Sequence, residues 1–337
     1  EIFAATQRQI DLAFPHQRNL LINTTWFGPQ FDNGEWQRVQ QLIDQKAQYH
    51  NLFMLAVIDP QYLRQQELEY IQQSLGIQRT RYIGMYENSE HEWNFHAVAV
   101  QKHCPQYLES DLLPTELDRA FLLYQRKPRP HRIAITQQLI DRGVLDCGIV
   151  TLGSNEDHNY DWTQQTDIPR VLTIEDDPAD YKHNGATTDF SGIPNDLVSL
   201  GRLDIWRRCF LNVVSETEFE RDQPRFVTEK MWKPIIGLRP FVIHGQTKTY
   251  QWLRQQGFRT FNHHWSHIDV EHNSDVHQTT VDVLQWVCAL TPQQRLDLYH
   301  AMLPDLKHNA ARYQGFAQEQ WVKMHNLFVD PSSQSML

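Results

Sequence analysis

Glu216 and the triplet Thr228-Glu229-Lys230 have the types and spacing to bind a phosphate-bearing ligand. Glu216 follows the apolar run Cys209–Ser215, and the triplet leads toward a second apolar run, Pro240–His244. Short runs of β-branched and aromatic residues bounded by polar turns predict strands buried on both faces. Two such strands joined through a helix make a parallel crossover unit. Polar residues where a strand ends and a helix begins lie in the crevice where open α/β sheets bind ligands.

Two helical readings of the triplet stay open. Thr228 can N-cap a helix starting at Glu229, in which case Pro234 removes the amide that would bond Lys230. Alternatively Pro234 is the first helical residue and the triplet lies on the loop before it. Both place Lys230 beside backbone amides that favour an anion. The plainer alternative is a capped surface helix with an ordinary charge pair.

A second basic element is Arg126-Lys127-Pro-Arg129-Pro-His-Arg132, directly after the short apolar run Ala120–Tyr124. At a strand-to-helix junction, amides and helix dipole together favour phosphate. Two prolines stiffen the segment. A contact to a polyanionic acceptor such as DNA is the second reading, and a solvated basic turn the third. The run Glu175-Asp-Asp177 has the carboxylates a hard cation wants, yet no strand precedes it, so a solvated loop is expected. The group His263, His264, His267 and His272 has an i, i+4 pair suited to zinc, but no third carboxylate or Cys completes a plausible site, and Trp265 points to packing.

The segment Arg225-Phe-Val-Thr-Glu-Lys-Met-Trp-Lys-Pro-Ile resembles the donor-binding motif of α1,3-fucosyltransferases, with Phe219 and Glu216 upstream and Pro240-Phe-Val-Ile-His-Gly downstream. More broadly it is similar to the C-terminal half of GT-B glycosyltransferases. The close match spans roughly residues 205 to 262. The resemblance implies two Rossmann-like α/β domains facing across a cleft. It implies an inverting, metal-independent transfer from a UDP- or GDP-linked sugar, a substrate rather than a cofactor, to a glycan or other hydroxyl acceptor. By position Glu216 would contact the donor's ribose or sugar. Thr228, Glu229 and Lys230, with Arg225, would hold the diphosphate and the transferring sugar. Arg126, Lys127, Arg129 and Arg132 would supply the clamp that such enzymes carry in the first loop of the second domain. The base would come from the first domain. Glu87, after the third strand in Tyr86-Glu-Asn-Ser89, loosely resembles the family's Glu-Ser-Pro segment without its Pro, and Asp32 is the second candidate. Phage DNA glucosyltransferases acting on hydroxymethylated bases share the fold, so a DNA acceptor is the alternative within the class. A catalytically silent nucleotide- or sugar-binding protein is the alternative outside it.

The elements that must position these residues follow from the pattern. Asn19–Gly28, Asn51–Asp59 and Arg81–Tyr86 read as strands, with helices at Glu35–Gln48 and Tyr62–Leu75 between them. That is half of a doubly wound sheet. Beyond it, Ala120–Tyr124, Cys147–Gly153, Cys209–Ser215, Pro240–His244 and Gly257–Phe261 read as strands. Helices are expected at Ile133–Leu145, Leu197–Arg208, Thr247–Gln256, Val281–Leu290, Pro292–Leu303 and Asp305–Phe328, and a long polar loop at Ser154–Asn195. Domains are accordingly expected at 1–117 on the acceptor side and 118–315 for the nucleotide sugar, with 316–337 packing back on the first.

The chain of 337 residues is long enough for two such cores. Charged residues make up 21% and hydrophobic ones 40%, a globular balance without a disorder signature. A net charge of -10 argues against non-specific coating of nucleic acid. No apolar run reaches the ~18 residues of a membrane span. No signal-peptide pattern opens the chain and no initiator Met is present, which together suggest a cytoplasmic protein with a trimmed N-terminus. Cys104, Cys147, Cys209 and Cys288 lack paired spacing, as free thiols in a reducing compartment would.

Overall fold

The computed structural model describes residues 18–23, 35–56, 65–84, 91–92, 94–125, 129–152, 199–201, 203–217, 219 and 225–329. It is a mixed α/β protein with two parallel sheets. Contacts divide the chain into two compact units, one of Glu1–Val98, Pro224–Phe226 and Ala317–Leu337, the other of Ala99–Gln223 and Val227–Phe316.

In the first unit, strands β1 (Asn19–Asn23), β2 (Asn51–Ala56), β3 (Arg79–Gly84) and β4 (His91–Glu92) pair in parallel in that order. Helices α1 (Glu35–Asp44) and α2 (Gln65–Leu75) make the crossovers. Their apolar stripes meet Leu20 and Leu52 in a core of Val39, Ile71 and Leu75. Sequential order is what one half of a doubly wound sheet has, and the described strands of this sheet contain no reversal. Strand β4 and the helix α3 (Phe95–His103) after it were not anticipated, since β4 is two residues long and carries no alternation.

The second unit contains α4 (Glu109–Leu112), β5 (Arg119–Leu123), α5 (Pro130–Asp141), β6 (Ile149–Val150), α6 (Leu203–Arg208), β7 (Cys209–Ser215), α7 (Glu229–Ile236) and β8 (Phe241–His244). After these come α8 (Lys248–Gln255), α9 (Val276–Ala289) and α10 (Pro292–Val329), which continues into the first unit. The strand order is β6-β5-β7-β8, all parallel. The chain therefore steps from β5 to one side and returns to the other, a reversal between β5 and β7. Every residue of β7 and β8 is buried, as the apolar runs predict for a sheet covered on both faces. Arg239 pins this unit from inside. Its guanidinium donates to the carbonyls of Trp206, Cys209, Leu238 and Leu112 and lies over the Tyr299 ring at 5.2 Å.

Several expectations are corrected. Gly257–Phe261 forms no strand. Gly257 turns the chain at φ +85°, and the Asn309 side chain on α10 takes both backbone groups of Arg259, at 2.7 and 2.9 Å, in place of a neighbouring strand. Pro292–Leu303 and Asp305–Phe328 are one helix with Pro304 inside it, because Met302 and Leu306 are both buried and packing carries the helix past the proline. Only Ile149–Val150 of the expected 147–153 strand pairs, its start being a 3-10 turn at Leu145–Cys147. Within the expected 197–208 helix, Gly201 has φ +73° and α6 begins at Leu203. Helix α5 starts at Pro130, three residues early, which puts Arg132 in the helix rather than in the loop. The polar stretch 154–195 lies outside the described residues. Among the described residues no helix is long and apolar enough to cross a membrane.

Candidate functional site

The reversal between β5 and β7 is the place where an open parallel sheet leaves a crevice at its carboxyl edge. The residues there are Tyr124 and Gln125 after β5, Glu216 and Thr217 after β7, and Gly245 after β8. The N-termini of α5 and α7 are part of the same set of strand-to-helix connections.

Helix α7 settles the two readings of the triplet. Thr228 is its N-cap, with an extended backbone, and its Oγ1 accepts from the Lys230 amide, while Pro234 lies inside the helix. The cap is braced by Glu216. One carboxylate oxygen accepts from the Thr228 amide at 3.1 Å, the other from Thr228 Oγ1 at 2.5 Å and from the Thr217 amide at 3.3 Å. With 2% of its surface exposed, Glu216 holds the loop rather than offering a free carboxylate. Burial pushes its pKa up, an effect opposed by the Lys230 charge and the Thr228 hydroxyl. Gly245 permits this arrangement, since a Cβ there would sit 3.0 Å from Glu216 Cβ.

Lys230 is one of the cations of the site. Its Nζ is 2.8 Å from Glu229 Oε1 and donates to Thr228 Oγ1 and Thr217 Oγ1 at 3.2 and 3.3 Å, with a quarter of the side chain exposed. Arg129 caps α5 without a side-chain cap bond and reaches the Thr217 carbonyl at 2.7 Å. Arg132, expected in the anion clamp, is 3% exposed, and its Nη2 donates to the carbonyls of Ser215 and Glu216 at 3.1 and 3.2 Å. Burial and the neighbouring Arg129 lower it to about 10. Arg132 thus secures the end of β7, whereas Arg129 is half-buried and a quarter of the Lys230 side chain is exposed.

Three histidines surround Phe219 and complete the site. His131 stacks on its ring at 4.9 Å and 6°, His277 at 4.5 Å and 26°, and His244 tilts against it at 4.9 Å. His131 Nε2 contacts the Glu216 carbonyl at 3.1 Å. His131 is lowered to about 3 by burial and by Arg132 and Arg129. Burial, with His277 and His131 beside it, holds His244 well below the ordinary histidine value, and burial also lowers His277. All three are neutral at physiological pH. Sequence reasoning missed the His244–His277 pair because the two lie 33 positions apart. The available signal was a histidine ending an apolar strand.

The structure thus brings together Arg129, Arg132, Glu216, Thr228, Glu229 and Lys230 of the expected site. Arg225 is buried and groups with the first unit. Glu87, Asp32, Arg126, Lys127 and Glu175–Asp177 lie outside the described residues.

Two other places have polar groups together. Asp305 stands beside two of the histidines of that group. One ligand atom each from His263, His264 and Asp305 fall within 4.8 Å of one another, with Asp305 already paired to Arg259. A cavity of about 510 Å³ is lined by Cys104, Tyr107, Leu238, Lys307 and Tyr313 among others. Burial pushes the Cys104 thiol up to about 12, so it is no nucleophile there. Compared with family models, with curated proteins and with solved structures, the chain gives no match.

Proposed function

We propose that this protein is a glycosyltransferase of two Rossmann-like domains whose second unit binds a nucleotide sugar. The observation that supports the reading most is the strand reversal between β5 and β7, with Arg129, Thr228 and Lys230 placed at that edge. Such an edge favours a phosphorylated ligand, with helix N-termini and cations facing its charge.

In this reading Lys230 and Arg129 take the diphosphate, and Thr228 and the first amides of α7 add neutral donors. Glu216 is a positioning residue, since it braces the Thr228 cap. An acceptor hydroxyl oxygen attacks the anomeric carbon and the bond to the diphosphate oxygen breaks. The nucleoside diphosphate leaves with the electron pair, and the hydroxyl proton passes to a carboxylate base, for which the sequence offers Glu87 or Asp32. Lys230 neutralises charge that grows on the leaving group, the electrostatic assistance that acts most strongly where water is excluded. The acceptor is a glycan or another hydroxyl compound.

Calorimetry with UDP, GDP and their sugars, paired with a donor-hydrolysis assay, tests the reading. Binding with turnover that persists in EDTA supports it. Binding without any turnover replaces it with a silent nucleotide-binding module, and turnover that needs Mn or Mg removes the metal-independent mechanism.

A further inference from the structure

Hydroxyls, amides and neutral imidazoles both donate and accept, so a chain of them takes its direction from one fixed end. The fixed end here is in α5. Thr136 Oγ1 donates its one proton to the Arg132 carbonyl, a turn earlier, at 2.8 Å. Toward Gln125 it can therefore only accept, and Gln125 Nε2 donates to it at 2.9 Å. That orients the amide, so Gln125 Oε1 faces Ser215 and accepts from its hydroxyl at 3.5 Å. Ser215 has then committed its proton. The 3.3 Å contact between Ser215 Oγ and His244 Nδ1 must carry the imidazole's proton instead. His244 Nε2 is left with a lone pair, so the 3.0 Å contact to His277 Nδ1 is donated by His277.

We infer that the Thr136–Gln125–Ser215–His244 chain holds His277 as its Nδ1–H tautomer and presents an unprotonated Nε2 as acceptor for a sugar hydroxyl of the bound donor. The identity of that ligand rests on the proposed function; the tautomer does not. His277 is half-buried and its Nε2 has no partner among the described residues. Stacking on Phe219 fixes the plane of the ring. A neutral nitrogen lone pair attracts O–H and N–H groups and repels phosphate oxygens. The site is thereby divided into a cationic part at Lys230 and Arg129 for the diphosphate and a neutral acceptor for the sugar. The low basicity that burial imposes on His244 and His277 keeps both lone pairs available at neutral pH.

Long-range proton–nitrogen correlation on histidine-labelled protein reads the tautomer directly, with the His277 signals assigned by their loss in His277→Phe. The expected result is a protonated Nδ1 and a bare Nε2 on His277. In Ser215→Ala the His244 Nδ1–H loses its acceptor, and His277 should move toward the Nε2–H form. An Nε2–H tautomer in the unaltered protein overturns the chain, whether or not Ser215→Ala folds. An unmoved tautomer in a folded Ser215→Ala does the same. Calorimetry with UDP-glucose and GDP-mannose then tests the ligand. His277→Phe should weaken the nucleotide sugar about fivefold, the loss of one hydrogen bond, and leave free UDP or GDP unaffected. Equal weakening of both removes the sugar hydroxyl as partner. If the unaltered protein binds none of these, the glycosyltransferase reading falls together with the sugar assignment, while the tautomer result stands by itself.

Discussion

Substitution of either Glu216 or Lys230 is expected to weaken nucleotide binding, and Glu216 also carries a pH-dependent part of the stability. If Lys230 contacts the diphosphate as proposed, Lys230→Ala should weaken nucleoside diphosphate binding by about 1.5–3 kcal/mol in calorimetry. Unchanged affinity would take Lys230 out of the site. Glu216 is a buried acid whose folded pKa lies above its ordinary value of 4.5. Such a group favours folding most below the unfolded pKa, and that contribution is lost as pH rises through the folded pKa. Glu216→Gln should therefore gain thermal stability relative to the unaltered protein as pH rises from 4.5 toward neutrality, while nucleotide affinity falls because the amide nitrogen cannot accept from the Thr228 hydroxyl. A variant that loses ground over that range would mean that Lys230 holds Glu216 as a net stabilised anion. Gly245→Ala tests the same brace from the other side, because its Cβ would press on Glu216 and should weaken nucleotide binding.

Helix α7 depends on its two ends. At its start Thr228 serves both the Lys230 amide and Glu216. Thr228→Val removes an N-cap worth about 1 kcal/mol and leaves a buried carboxylate oxygen short of a donor, whereas Thr228→Ser retains both bonds. Chemical denaturation should rank them in that order. At its end Gly237 lies against Trp206, whose indole donates to the Gly237 carbonyl at 2.9 Å. A Cβ on Gly237 would come within 2.4 Å of that ring. Gly237→Ala should destabilise by about 1–3 kcal/mol, the range for overpacking a filled core, read as a lowered Tm. An unchanged Tm would mean that Trp206 can move aside. Tilted ring contacts of Trp232 with Tyr313 and Phe316 at 5.5 and 5.2 Å tie the middle of α7 to α10, and Phe258 packs beside them at 5.7 Å.

At the scale of the whole molecule, the lowered pKa values of the histidines around Phe219 predict a contribution to acid sensitivity. A histidine whose folded pKa is depressed contributes stability above its unfolded pKa, and that stability is lost as pH falls. For His131 the window runs from 6.5 down to about 3. Its uptake of one proton only on unfolding is worth about 1.4 kcal/mol per pH unit within that window. His131→Phe keeps the stack on Phe219 and removes the proton, so its stability should fall less steeply between pH 6 and pH 4, below the pKa of a free histidine and above that of His131, than that of the unaltered protein. Parallel pH profiles would show that His131 is protonated in the folded state.

The strands and most helices were legible in the amino-acid sequence because burial on both faces or along one stripe leaves a local pattern. Cys209–Ser215 and Pro240–His244 announced the two buried strands of the site, and Thr228 announced a cap. Local pattern could not choose between the two readings of Pro234, since the answer depends on Glu216 bracing Thr228 from twelve residues away. It misread Gly257–Phe261 as a strand because those backbone groups are taken by Asn309, fifty residues on. It split α10 at Pro304 because local chain energetics favour a break there and only tertiary packing outweighs it. The roles within the basic run were also decided in three dimensions. Arg132 and Arg129 are the same residue type three positions apart, yet the start of α5 at Pro130 buries one against β7 and leaves the other at the edge. The sequence by itself determined most of the strands and helices and where polar groups would gather at their ends. Strand order, and with it the reversal that makes a crevice at β5 and β7, follows from how distant segments pack, as does the single direction of the hydrogen bonds that reach His277.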